Sequence, residues 1–150
     1  MSNKAKPAAA CPCGGASLAA CCGPYLAGQA VAQTAEALMR SRYTAYTLKN
    51  EAYLQASWHP GTRPAEPVTD ENEKIQWLGL EVKSALRLRQ RKADLPEVQP
   101  DQDTVEFVAR FRVGGRAHRL HELSRFVRET GPDGIARWFY LDGSFPNENK

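Results

Sequence analysis

All four cysteines of this 150-residue chain fall in one twelve-residue stretch, Cys11-Pro12-Cys13-Gly14-Gly15-Ala16-Ser17-Leu18-Ala19-Ala20-Cys21-Cys22. Four thiolates close a tetrahedral Zn²⁺ shell, and a Cys-x-Cys pair facing a Cys-Cys pair across a loop of small residues brings all four sulfurs to one centre. Gly14 and Gly15 stand where the chain must turn sharply and offer backbone N–H groups to the sulfurs. Two rival readings compete with a metal site. A disulfide knot would need adjacent Cys21 and Cys22 in two crossing bridges within a short loop, which is strained. Leu18-Ala19-Ala20-Cys21 has the form of a lipoprotein cleavage box, but the region leading to Cys21 holds two prolines, two cysteines, two glycines and only one leucine, Leu18, a poor membrane-inserting run. The reading adopted is one structural zinc ion on Cys11, Cys13, Cys21 and Cys22, in a reducing, cytoplasmic setting.

Length and composition bound the remainder. With 42% hydrophobic residues, the chain suffices for one domain with a real core plus the cysteine element. No run approaches the eighteen or more apolar residues of a membrane span, so a soluble protein with no membrane partner is expected. The net charge of +3 permits anionic partners without demanding them. Residues 1–10 read as a flexible arm, 11–30 as the zinc element and 31–150 as an α+β domain.

Helices come first. Ala35, Leu38, Met39, Arg42, Tyr43 and Tyr46 recur at helical spacing between Thr34, a natural N-cap, and Lys49. A shorter helix is predicted over Glu51 to Trp58, ending before His59-Pro60-Gly61, and residues 60–73 read as a loop followed by a helical turn. From Trp77 the apolar period changes to two: a long strand from Trp77 to Arg89, the clearest strand from Val105 to Val113, then His118 to Glu129 and Ile135 to Leu141. Helices followed by an antiparallel meander predict N-terminal helices packed in a curved sheet.

Cys11-Pro12-Cys13-Gly14 and Cys21-Cys22-Gly23 resemble the SEC-C motif, a small zinc-binding element. The usual motif has eight residues between its second and third ligands and several lysines there; this chain has seven and no basic residue. The resemblance then widens. Leu38-Met39-Arg40-Ser41-Arg42-Tyr43-Thr44-Ala45-Tyr46, Tyr53-Leu54, Trp58-His59-Pro60, Trp77-Leu78-Gly79-Leu80 and Phe107-Val108-Ala109-Arg110-Phe111 look like the YchJ family of bacterial proteins. Glu122-Leu123-Ser124-Arg125-Phe126 and Trp138-Phe139-Tyr140-Leu141-Asp142-Gly143 continue the match, which spans residues 10 to 145. It implies a SEC-C zinc element followed by a cone-shaped domain similar to nuclear transport factor 2 and ketosteroid isomerase, in the cystatin-like class. It also implies one metal site here, because the second SEC-C element of many members would need C-terminal cysteines. The resemblance supplies architecture rather than an activity.

A cone of this kind encloses a pocket between helices and concave sheet. Candidates to line it are Arg42, Tyr43, Tyr46, Trp58 and His59 from the helical half, and Arg110, His121, Glu122, Arg125 and Tyr140 from the strands. His121 and Glu122 are adjacent in one strand and face opposite ways, which argues against a simple catalytic dyad. Tyr43, Tyr46 and Trp58 also suit plain packing, and Arg42, alone among apolar residues, needs a partner that Glu122 or Asp142 can supply. Arg87, Arg89 and Arg91 alternate on one strand face as a candidate anion-binding row, or as charges that keep an edge strand soluble. Residues of these types point to a binding or adaptor protein with a protein partner, and secondarily a small-molecule ligand. An enzyme using the cone pocket is the alternative, and RNA or ribosome binding through the arginine row is a weaker one.

Overall fold

The structure, a computed structural model, describes residues 11–15, 17–70, 74–83 and 101–145. Behind the cysteine loop, Gly23–Leu26 forms a single turn of helix, α1. Thr34 then caps α2, Ala35–Thr47, its hydroxyl accepting the Ala37 N–H at 3.0 Å. Glu36 and Arg40 pair one turn apart on its surface, at 3.0 Å. Lys49, at φ 55°, reverses the chain, and the Asn50 side chain accepts the Tyr53 N–H at 3.1 Å to start α3, Glu51–Ala56.

Four antiparallel strands follow in spatial order β1-β2-β3-β4: Ile75–Val82, Gln102–Val113, Arg116–Thr130 and Ala136–Ser144. Sequential neighbours pair throughout, as a meander does. Leu38, Met39 and Tyr43 of α2 pack with Phe107, Ala109, Phe126 and Trp138 of the sheet in one core cluster. Cys11, Cys13 and Cys22, each at most 2% exposed, belong to that same cluster. The α+β architecture expected from the helix-then-strand order is the one observed.

Two bulges break the alternation. Trp77 pairs with Phe111 but Gly79 with Arg110, which leaves Leu78 as an extra residue, 44% exposed, and keeps Trp77, Leu80 and Val82 all on the core side. On β4, Tyr140 faces Phe126 while Asp142 faces Arg125, so Leu141 is the extra residue. The parity flip sends Asp142 outward and brings Gly143 inward.

α3 stops at Ala56 rather than Trp58, because Ser57 to His59 straighten to pair with β4. Tyr140 N–H donates to the Ser57 carbonyl at 2.9 Å and His59 N–H to the Tyr140 carbonyl at 2.8 Å. No helical turn forms in 60–70, and residues 71–73 of the expected loop and turn lie outside the described residues. That loop is instead tied to α3 by Glu51, whose carboxylate accepts from Gln55, from the Val68 and Thr69 N–H groups and from the Thr69 hydroxyl at 2.7–2.8 Å. The strand expected to run on to Arg89 ends among the described residues at Val82; the row Arg87, Arg89, Arg91 and the arm 1–10 lie outside them. Among the described residues no helix is long and apolar enough to cross a membrane.

Two measurements check this account. Leu54, fully buried under α2, should cost about 3 kcal/mol as Leu54→Ala in urea unfolding. Hydrogen bonds from Gln55 and the Val68 backbone foremost, joined by those from Thr69, hold the Glu51 carboxyl down at about 2. A depressed folded-state pKa stabilises above the unfolded value near ~4.3 and is lost as pH falls toward the folded one. Glu51→Gln should therefore lower the urea midpoint at neutral pH, and its deficit against wild type should close between about pH 5 and pH 2. A deficit that stays constant down to pH 2 would show that the clamp does not act through its charge.

Candidate metal centre and cone cavity

The cysteine loop turns through Gly14, and the Cys11 N–H and the Gly15 carbonyl close it at 3.2 Å. A Cβ on Gly15 would sit 2.5 Å from the Cys21 sulfur, so only glycine lets the two halves of the loop meet. All four sulfurs lie within 4.8 Å of one another, with Cys13–Cys21, Cys13–Cys22 and Cys21–Cys22 separations of 3.5, 3.6 and 3.9 Å. Tetrahedral sulfurs at about 2.3 Å from a zinc ion stand about 3.8 Å apart, so the donor set fits a metal of that size. All four cysteines are free thiols, which removes the disulfide knot.

The electrostatics agree with a cation-binding role. Burial works against a Cys11 thiolate, but hydrogen bonds from the Cys13 backbone, the Thr44 hydroxyl and Cys22 outweigh it and bring Cys11 down to about 6. Burial, reinforced by the neighbouring Cys13 and Cys11 sulfurs, pushes Cys21 up to about 11, and burial raises Cys22 as well. One sulfur ionises readily and its neighbours then resist, as close-packed, partly buried thiols do. Helix α2 supplies the outer support: the Thr44 hydroxyl lies 3.5 Å from the Cys11 sulfur, and Arg40 donates to the Cys13 carbonyl at 3.0 Å.

A different face of α2 forms one wall of a cavity of about 290 Å³. Its apolar walls include Met39, Tyr43, Ile75, Trp77, Phe107 and Phe126; Arg42, Tyr46, Glu122, Ser124 and Tyr140 make its polar end. Arg42 is 5% exposed. Its guanidinium donates to the Leu54 carbonyl at 2.9 Å and the Ser57 hydroxyl at 2.7 Å, and lies 4.5 and 5.1 Å from the ring centres of Tyr140 and Trp58. Burial lowers its pKa, opposed by Tyr46, Tyr140, Tyr53 and Glu122. Glu122, 8% exposed, accepts on Oε2 from the Ser124 and Tyr140 hydroxyls, both at 2.8 Å. A side chain at Gly143 would collide with that carboxylate. Burial, and then the Glu122 charge, raise Tyr140, which keeps its proton and donates; burial likewise raises Tyr46, opposed by Arg42.

Five of the ten pocket candidates thus meet at the cavity: Arg42, Tyr43, Tyr46, Glu122 and Tyr140. Trp58 stands behind them, stacked edge-on against Tyr140 at 4.9 Å. The other four point elsewhere, for reasons of parity. His121 is held by Glu106 at 2.6 Å, Arg125 forms a two-pronged pair with Asp142 at 2.6 and 2.7 Å, and Arg110 reaches Glu81 at 3.7 Å, all on the outer face of the sheet. His59, the last residue of the segment that pairs with β4, turns its ring to Glu129 at 2.8 Å. The expected partner of Arg42 is corrected in the same way: Asp142 belongs to Arg125, and Glu122 acts on Arg42 from across the Tyr140 ring rather than in a direct pair. Ser124, Ser57 and Gly143 were not among the candidates. Ser124 was readable, since it lies two residues from Glu122 on one strand face; Gly143 was hidden by the bulge.

Comparison with known proteins places this geometry in a lineage. The family model "YchJ, middle NTF2-like domain" matches residues 34–143. A UPF0225 protein of Ralstonia nicotianae is 51% identical over 144 residues, covering 91% of this chain and 92% of the relative. Another, from Chromobacterium violaceum, is 51% identical over 145 residues, covering 95% and 98%. Among solved structures, a SEC-C motif containing protein from Psychrobacter arcticus is similar with a TM-score of 0.71 and 29% identity, over 91% of this chain and 82% of that one. The solution structure of a SEC-C motif containing protein from Rhodopseudomonas palustris gives 0.63 and 32%, over 91% and 98%. A cysteine cluster packed beside a domain of this type, with relatives half identical across nearly their full length, means that the chain belongs to the YchJ family.

Proposed function

We propose that this is a zinc-containing binding and adaptor protein. Cys11, Cys13, Cys21 and Cys22 would hold one zinc ion, and the cone cavity takes a small molecule without converting it, while the zinc-bearing element meets a protein partner. A zinc ion on four thiolates has no open position for water or substrate and acts as a cross-link. Thr44 and Arg40 carry that cross-link into α2, with Arg40 offsetting the negative charge of the thiolates.

The observation that carries binding over turnover is how Glu122 Oε2, Ser124, Tyr140 and Arg42 at the cavity's inner end are engaged. Tyr140 and Ser124 both donate to one oxygen of Glu122, and Arg42 is engaged by a carbonyl, a hydroxyl and two aromatic faces. Acid–base catalysis calls for a group that titrates near working pH. Burial moves Tyr46 and Tyr140 away from it, and the three histidines are placed outside the cavity, against Glu129, Phe111 and Glu106.

Elemental analysis of purified, reduced protein should find one zinc per chain. Cys13→Ser should lose it and lower the Tm by roughly 10 °C, because Cys13 is buried in the shared core. Wild-type protein without bound metal would remove the cross-link from the reading. For the cavity, a metabolite screen by thermal shift should yield a stabiliser of the wild type that has no effect on the Tyr46→Phe, Glu122→Gln double variant and is recovered chemically unchanged. Conversion of that metabolite by the wild type, abolished in the double variant, would make the protein an enzyme.

A further inference from the structure

Two carboxylates line the cavity, the exposed Asp70 and the buried Glu122, and the buried one indicates what kind of molecule the cavity holds. We infer that it receives a small, flat, apolar molecule bearing an N–H donor, an amine or its ammonium form, gripped by Glu122; this rests on the reading of the cavity as a ligand site. An ionised carboxylate offers about four lone-pair positions on its two oxygens. Ser124 and Tyr140 both use Oε2, and among the described residues no hydrogen bond reaches Oε1. Glu122 lines the cavity and is 92% buried by the same measure that leaves it 8% exposed. Trp58 Nε1 is the fully buried side-chain polar atom without a partner among the described residues, so Oε1 is open to the cavity, where an arriving donor can reach it. A donor arriving in the cavity completes the set.

The carboxylate is also rigid. Two hydroxyls hold it, and the bare Cα of Gly143 lies against it, a position that the Leu141 bulge creates. Arg42 supports its charge: its Nη1 donates to Leu54 and Ser57, and its guanidinium sits over the Tyr140 ring. An anionic ligand would meet the Glu122 charge at the same end. The size and walls agree: about 290 Å³ is at the small end of ligand pockets, which run from roughly 300 to 1,000 Å³. Tyr43, Trp77, Phe107 and Phe126 present aromatic surface that favours both a flat ring and a nearby cation.

The test uses matched probes, naphthylmethylamine, naphthylmethanol and naphthoate, titrated into metal-loaded protein by calorimetry or ligand-observed NMR. The amine should bind at least about tenfold tighter than the carboxylate, and Glu122→Gln, similar in shape, should erase that preference. A second measurement needs no variant: the trimethylammonium analogue of the amine keeps the charge, has no N–H, and should bind about tenfold more weakly to wild type. Equal binding by that analogue, tighter binding of naphthoate, or a preference that survives in Glu122→Gln would each overturn the inference. Equal affinity for all three probes, lost in Leu120→Trp, would leave the cavity as a ligand site and overturn its amine selectivity alone. Binding by none of the probes would overturn the cavity reading and this one with it.

Discussion

A guanidinium withdrawn from water has to be matched on every side, and Arg42 imposes that requirement on the whole cone. Helix α2 carries it into the interior, at 5% exposure, where no carboxylate touches it. The structure meets the demand with what lies nearby. The last carbonyl turn of α3 accepts one N–H, Ser57 accepts again, and Trp58 and Tyr140 close over the plane. Each of these contacts fixes an element. Ser57 and Trp58 are in place only because the chain after α3 straightens against β4, and Tyr140 is in place because it is the β4 residue they pair with. Tyr140 then hands the ordering on to Glu122.

Helix α2 therefore serves two sites at once. Arg40 and Thr44 look toward the cysteine loop, while Met39, Arg42, Tyr43 and Tyr46 look toward the cavity. A helix of thirteen residues moves largely as one body when both of its sides are packed. A cation held by the sulfurs would stiffen the loop against α2, and with it the cavity wall that α2 forms. The cysteines are thus part of the core rather than an appendage to it, despite their place near the start of the chain.

Much of this was legible in the residues. The helical period around Leu38 to Tyr46 and the period of two from Val105 onward are strong local signals, and the capping residues Thr34 and Asn50 stand where helices begin. Four cysteines with tight spacing can be read without any structure. What could not be read is parity after a bulge. Strict alternation puts Asp142 on the same face as Tyr140; the extra residue Leu141 reverses this, gives Asp142 to Arg125 and brings Gly143 to Glu122. Nor does a period of two say which face is the inner one, so Arg110, His121 and Arg125 looked as eligible as Glu122.

The same bulge explains why an acid can sit inside the cone at all. A carboxylate next to apolar walls is costly to bury unless hydrogen-bond donors and charges meet it. Here the backbone shift leaves room for the carboxylate at Gly143, two hydroxyl donors meet it from adjacent strand positions, and the Arg42 charge lies just across the Tyr140 ring. Those three supports come from the neighbouring strands β3 and β4 and from α2, far away in the chain. A carboxylate supported from so many directions is expensive to assemble and gives little to stability that apolar packing would not give. That imbalance between cost and structural return is the physical ground for assigning Glu122 to recognition rather than to the scaffold.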